Sequence, residues 1–215
     1  MRYTTEQEKK WSGDFGEKYI RRNEFDTAAL DREYKKMYGV TARSLGEEFL
    51  GELDRDIKIL EVGSNIGNQL LLLQKMGFKN LYGIEINPTA VEKAKERTKG
   101  VNLIQGSAFD IPFKDKYFDM VFTAGVLIHI SPADIQKALK EIYRCSSKYI
   151  WGYEYYSDKH EEIGYRGSGE MMWKGDFPGM YTKMFPGTKL VKKRFLDYLD
   201  YDNTDVMYML KRGSR

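Results

Sequence analysis

Cysteine is almost missing from this chain of 215 residues. Cys145 is the single one, which excludes an intramolecular disulfide and a zinc cluster built on cysteines. Histidine is nearly as scarce, with His129 and His160 alone, so no metal site is expected. No apolar run approaches the ~20 residues that a membrane helix needs, and the opening stretch MRYTTEQEKKW has no apolar h-region. A cytoplasmic protein without a membrane partner is therefore the expectation. Charge of one sign is also lacking: 35 basic against 32 acidic residues leave +3, too little to imply nucleic acid. The excess of Lys and Arg in 183–215 reads as a solvated face. The five prolines are scattered and no repeat or low-complexity tract is present.

What is there suits a folded domain. The 16 Tyr, 11 Phe and 3 Trp supply enough material for a core, which excludes disorder. Residues 1–55 read as polar helices with aromatics at intervals, a lid or substrate cap. From 56 onward, strand and helix signals alternate. IKILEVG (57–63), LYGIEI (81–86), VNLIQG (101–106), FDMVFTAG (118–125) and YIWGYEYY (149–156) are short β-rich runs. Between them lie NQLLLLQKM (68–76), stopped by Gly77, and NPTAVEKAKERT (87–98), with Asn87 as N-cap and Pro88 at the first helical position. Ser131 before Pro132 suggests the same opening for a helix through 132–145. This alternation argues an α/β fold with a parallel, doubly wound sheet. The third stretch breaks it, with a Gly- and aromatic-rich insertion at 157–181 and then LVKKRFLDYL and DVMYMLKR around a DYDNT turn. The last pair reads as an antiparallel hairpin that brings the sheet to seven strands.

In such a sheet ligands bind beyond the carboxyl ends of the strands. The first strand ends in Glu61-Val62-Gly63-Ser64-Asn65-Ile66-Gly67, an E-x-G-x-x-x-G turn in which Asn65 stands where a middle glycine is common. Asn tolerates the left-handed conformation, so the turn keeps its character. The second strand ends in Glu85-Ile86, 22 residues after Gly63. A carboxylate there suits the two hydroxyls of a ribose; it equally suits the start of the next helix. After the third strand, Ser107, Ala108 and Phe109 face a purine, or else Phe109 and Phe113 pack under their loop. Carbonyls near Thr123, at the end of the fourth strand, suit a ligand ammonium.

In this order and spacing EVGSNIGN, YGIEIN and QGSAFDIPF…YFDMVFTAGVLIHI resemble the class I S-adenosylmethionine-dependent methyltransferases, over about 57–156. That resemblance implies a Rossmann-like sheet, mostly parallel with the C-terminal hairpin, in a methyltransferase domain over 56–215. It implies S-adenosyl-L-methionine as cofactor, with Glu61, Gly63, Ser64, Asn65 and Gly67 by its methionine part, Glu85 and Ile86 on the ribose, Ser107, Ala108 and Phe109 at the adenine, and Thr123 near the amino group. The usual acidic residue of the third motif is Ser107 here. Trp11 to Asn23 and Tyr165 to Tyr181 further resemble the methyltransferases associated with pseudaminic acid biosynthesis, which implies a small, sugar-like or anionic acceptor.

Methyl transfer needs orientation and, for a neutral nucleophile, a base. His129, after the fourth strand, is the candidate base, with a structural role as its alternative. Glu154 and Tyr155, ending the fifth strand with Tyr156, are candidates on the acceptor side. Trp11, Phe15, Tyr19 and Arg22 fall at helical spacing on one face; Tyr19 and Arg22 are expected to close over the cofactor. Arg166, Trp173 and Lys174 are candidate acceptor contacts. The alternatives are a cofactor-binding sensor or inactive scaffold and, against the missing G-x-G-x-x-G, an NAD-dependent oxidoreductase. A nucleic-acid methyltransferase lacks its N-P-P-Y-type motif here.

Overall fold

The computed structural model describes residues 5–164 and 171–213. Four helices come first: α1 (Glu6–Ser12), α2 (Asp14–Arg22), α3 (Thr27–Tyr38) and α4 (Ala42–Leu50). The alternating region follows as β1 (Lys58–Val62), α5 (Asn68–Lys75), β2 (Asn80–Glu85), α6 (Pro88–Arg97), β3 (Asn102–Gln105), β4 (Phe118–Ala124), α7 (Ile135–Cys145) and β5 (Ser146–Tyr155), with a 3₁₀ turn at Leu127–His129 after β4. A two-residue pair, β6 (Glu161–Glu162) and β7 (Trp173–Lys174), precedes α8 (Phe177–Met184), and β8 (Lys189–Asp197) and β9 (Thr204–Lys211) close the chain.

The main sheet has seven strands in the order β3-β2-β1-β4-β5-β9-β8. The first five are parallel, and β9 runs antiparallel to both β5 and β8, so the doubly wound reading and the terminal hairpin hold. Alternation along each strand splits the core into two layers. Ile59, Met120, Phe122, Trp151 and Met209 face α3 to α6, while Leu60, Val121, Ile150 and Leu210 face α7 and α8. Gly152 in the central strand β5 leaves room for Tyr208 on β9; a Cβ there would sit 2.1 Å from the tyrosine ring.

Three expectations change. The stripe Trp11, Phe15, Tyr19, Arg22 does not lie on one helix, because Gly13 adopts an extended conformation and separates α1 from α2. Its rings still meet: Trp11 packs against Phe15 at 5.0 Å and Tyr19 at 5.2 Å across the break. The helix after β4 starts at Ile135, not at Pro132. Ser131 heads a separate turn, its carbonyl accepting from the N–H of Asp134 at 3.0 Å and of Ile135 at 2.9 Å. The end of the insertion is a helix, α8, which Asp176 caps by accepting from the Gly179 N–H at 3.1 Å, with Pro178 in its first turn. Tyr165 and Arg166 lie outside the described residues.

Candidate active site

The ends of β1, β2 and β3 form one half of a cleft. Gly63, at φ +73°, donates its N–H to the Ile84 carbonyl at 2.8 Å, and a Cβ on it would meet Val126 at 2.5 Å. Asn65 is left-handed, at φ +46°, as its place in the turn suggests. Its N–H donates to Glu85 Oε2 at 2.8 Å, while its own Oδ1 accepts from the Ile66 N–H at 2.7 Å. Glu85 Oε1 accepts from the Asn87 N–H at 2.8 Å. Burial pushes the Glu85 carboxyl above its usual range, and the backbone N–H groups of Asn87, Asn65 and Ile86 pull it back. A carboxylate braced in this way keeps its geometry when a ligand hydroxyl arrives.

The cleft is a cavity of about 140 Å³, far more than the ~10–15 Å³ that one water needs. Of the sequence candidates, Gly63, Asn65, Glu85, Ile86 and Ser107 line it, together with Ala108, Phe109, Tyr19 and His129. The other candidates do not. Glu61 is buried beneath the loop; burial first, then the nearby Glu85, push its carboxyl well above the usual range, and its Oε2 has no partner. Ser64 is buried beside Gly83, and Gly67 caps α5. Thr123 is buried and its side chain hydrogen-bonds Glu154. Arg22 is exposed at the end of α2, because the break at Gly13 redirects that helix.

The acceptor-side candidates on β5 are corrected too. Glu154 is 1% exposed and accepts from the N–H of Val126 at 3.2 Å and of Ile128 at 3.4 Å. Burial holds its pKa at about 7. It anchors the loop that carries His129 and is not presented to the cleft. Tyr155 packs edge-to-face on Tyr198 at 6.3 Å. Trp173 is buried and Lys174 pairs with Glu161 across the small β6–β7 ladder, so neither lines the cleft.

His129 closes the cleft's other half. Its Nδ1 lies 2.9 Å from the Met171 carbonyl oxygen, which only accepts, so the proton sits on Nδ1 and Nε2 is the nitrogen able to take one. Burial lowers its pKa to about 4, so the ring is neutral at physiological pH. Trp11 packs on it at 4.5 Å between centroids; the indole Nε1 is buried without a hydrogen-bond partner in a residue that lines the cleft.

Sequence reasoning missed the reach of α1. Thr5, Gln7 and Glu8 line the cleft, and Ser107 Oγ donates to Glu8 Oε1 at 2.5 Å. The T-x-x-E capping box at Thr5–Glu8 is legible as a helix start, but it does not say where that helix docks. A second, much smaller cavity of about 10 Å³ lies on the α3–α5 side, bounded by Tyr34, Gln69, Trp151 and Tyr153; Ala124 lines both. Among the described residues, no cluster of three His, Cys, Asp or Glu can hold a metal ion, and no helix is long and apolar enough to cross a membrane.

Residues 60–148 match the family model described as a methyltransferase domain. Phosphoethanolamine N-methyltransferase of Plasmodium falciparum is 26% identical over 145 residues, covering 66% of this chain and 48% of that protein. Two solved structures superpose closely. One is the Burkholderia thailandensis 1,6-didemethyltoxoflavin-N1-methyltransferase with bound 1,6-didemethyltoxoflavin and S-adenosylhomocysteine (TM-score 0.70, 12% identity, 97% of this chain and 87% of that one). The other is magnesium protoporphyrin IX methyltransferase of Synechocystis with bound S-adenosylmethionine (TM-score 0.69, 11% identity, 99% and 100%). These likenesses establish the fold as that of the class I methyltransferases. The chain spans about half the length, or less, of the curated relatives it matches.

Proposed function

We propose that this chain, with its methyltransferase domain, is an S-adenosylmethionine-dependent methyltransferase acting on a small molecule. Glu85 carries the reading. It is a buried carboxylate at the end of β2, fixed by two backbone N–H groups and open to the cleft, which suits a vicinal diol. The strained turn at Gly63 and Asn65 brings backbone beside it with no Cβ in the way at Gly63. One further feature fits the cofactor: the unpartnered Trp11 N–H in the cleft wall. When bound, that cofactor supplies a methyl group on an already activated sulfonium.

The chain's own residues supply position and proton transfer. Gly63, Asn65 and Glu85 hold one half of the cleft, and Trp11 and Tyr19 cover the other. His129 takes the acceptor's proton at Nε2. Burial keeps it neutral and makes it a weak base, so it suits an acceptor that gives up its proton readily. Among the described lining residues are the carboxylates of Glu8, Glu85 and Asp134 and no Lys or Arg. This favours an uncharged acceptor over the anionic sugar that the flanking motifs suggest.

Calorimetry with S-adenosylmethionine and S-adenosylhomocysteine tests the reading, and binding of both is expected. Glu85→Ala should weaken both by more than roughly tenfold, the scale of a lost hydrogen bond to a charged group; unchanged affinity rejects the ribose assignment. A screen with isotopically labelled cofactor, read by product mass, then identifies the acceptor. With it in hand, His129→Ala should keep cofactor affinity and lose turnover. Binding without transfer to any acceptor would favour the sensor reading.

A further inference from the structure

The geometry points to Glu8 as the residue that selects the base of the bound nucleoside, by accepting a hydrogen bond from the exocyclic amino group of a purine. This rests on the cofactor reading of the cleft. The strand order sets β3 next to β2. A nucleoside whose ribose lies on Glu85 and whose reacting end lies toward β4 therefore extends its base over the loop after β3, Gly106–Phe109.

At that end the Ser107 hydroxyl is already engaged: it donates to Glu8 Oε1 at 2.5 Å and accepts from the Phe109 N–H at 3.1 Å. It cannot also donate to a base. What it holds in the cleft wall is the carboxylate of Glu8. That group is fixed at both oxygens, because Oε2 accepts from the Thr5 N–H at 3.0 Å. Glu8 is 7% exposed, yet lines the cleft. One turn on, the Trp11 carbonyl accepts from Asn87 Nδ2 at 3.1 Å, which ties α1 to the end of β2.

An ionised carboxylate only accepts. It matches a purine with an amino group at C6, a donor, and repels one with a keto oxygen there. A site built for one hydrogen-bonding pattern rejects the other strongly, because a mismatched buried polar group is left unpaired. The selecting group thus comes from the first helix of the chain, 99 residues from the serine that orients it, and substitutes for an acid within the β3 loop.

Calorimetry with S-adenosylhomocysteine and S-inosylhomocysteine tests this on the intact protein. The unmodified chain should prefer the adenosyl compound by roughly 10- to 100-fold, the range of a hydrogen bond to a charged group. Glu8→Gln should lower adenosyl affinity and shrink the preference to about threefold or less, since an amide both donates and accepts. Thr5→Ala removes the hydroxyl that caps α1 at the Glu8 N–H and keeps the backbone N–H that holds Glu8 Oε2, so it should weaken both ligands and keep the preference. An equal loss for both ligands in Glu8→Gln, or a Thr5→Ala that erases the preference as well, overturns the assignment and leaves α1 a cover only. If neither compound binds the unmodified chain, the cofactor reading itself fails, and this inference falls with it.

Discussion

Among the buried ionisable side chains, Asp205, Glu154 and His129 do not all act in the same direction as pH changes. Asp205 accepts from the Tyr38 hydroxyl at 2.6 Å and the Tyr198 hydroxyl at 3.1 Å, and burial raises its pKa to about 6. The folded chain therefore holds this proton more tightly than the unfolded one. The stability it lends is complete below the ordinary value of 3.8 and drains away as pH rises to about 6. Glu154 behaves alike up to about 7. His129 acts oppositely: its lowered pKa means that stability is lost as pH falls from about 6.5 toward 4. Asp205→Asn removes one contribution. Its unfolding free energy, measured by urea titration, should gain on the unmodified chain by about 2 kcal/mol between pH 4 and pH 7. A constant difference would reject the burial account. Gly63→Ala tests the turn in turn. The left-handed φ and the approach to Val126 together should cost about 2 kcal/mol or more and weaken cofactor binding, both readable by calorimetry.

The elements divide into those that announce themselves and those that do not. β1 to β5 are short apolar runs ending at glycine or a polar loop, and Asn87-Pro88 spells out the start of α6, whose cap accepts from the Ala90 N–H at 3.1 Å. Glu85 and the glycine turn were legible for the same reason, since local sequence dictates local geometry. The break between α1 and α2 was not, because Trp11, Phe15 and Tyr19 keep helical spacing across Gly13. Nor was Glu154's role, because alternation along β5 gives a side of the sheet and not which loop that side supports. The pairing of Glu8 with Ser107 has no local signal at all. Arg97 shows how such distant pieces are joined: it donates to the Ile66 carbonyl and Asn68 Oδ1, each at 2.9 Å, and to the Phe25 carbonyl. It thereby ties α6 to the glycine turn and to the link between α2 and α3. Arg97→Ala should lower stability by about 2–3 kcal/mol in chemical denaturation, from the charged hydrogen bonds and the stem packing lost together. A loss within 0.5 kcal/mol, the scale of an ordinary surface change, would mean that the links hold without it.

At the scale of the whole molecule, the sheet ends on β8, an edge strand with Leu190, Val191 and Phe195 exposed. Lys189, Lys192, Lys193 and Arg194 interrupt that apolar row, and Lys193 lies 4.6 Å over the Phe195 ring. Charges on an edge discourage pairing with another chain. Changing Lys189 and Lys193 together to Val leaves 33 basic against 32 acidic residues, a net charge of +1. Light scattering at constant concentration should then show more association than for the unmodified chain, while the cleft, at the other strands, keeps its ligand affinity.

Ala124 has a use beyond explanation. It ends β4 and lines both the cleft and the smaller cavity behind it, so one methyl group stands in the wall between two spaces. The space behind it, about 10 Å³, is too small for more than a water. Anyone redesigning the protein toward bulkier acceptors would therefore have to shrink Tyr34, Trp151 or Tyr153 along with Ala124→Gly before the two spaces become one chamber.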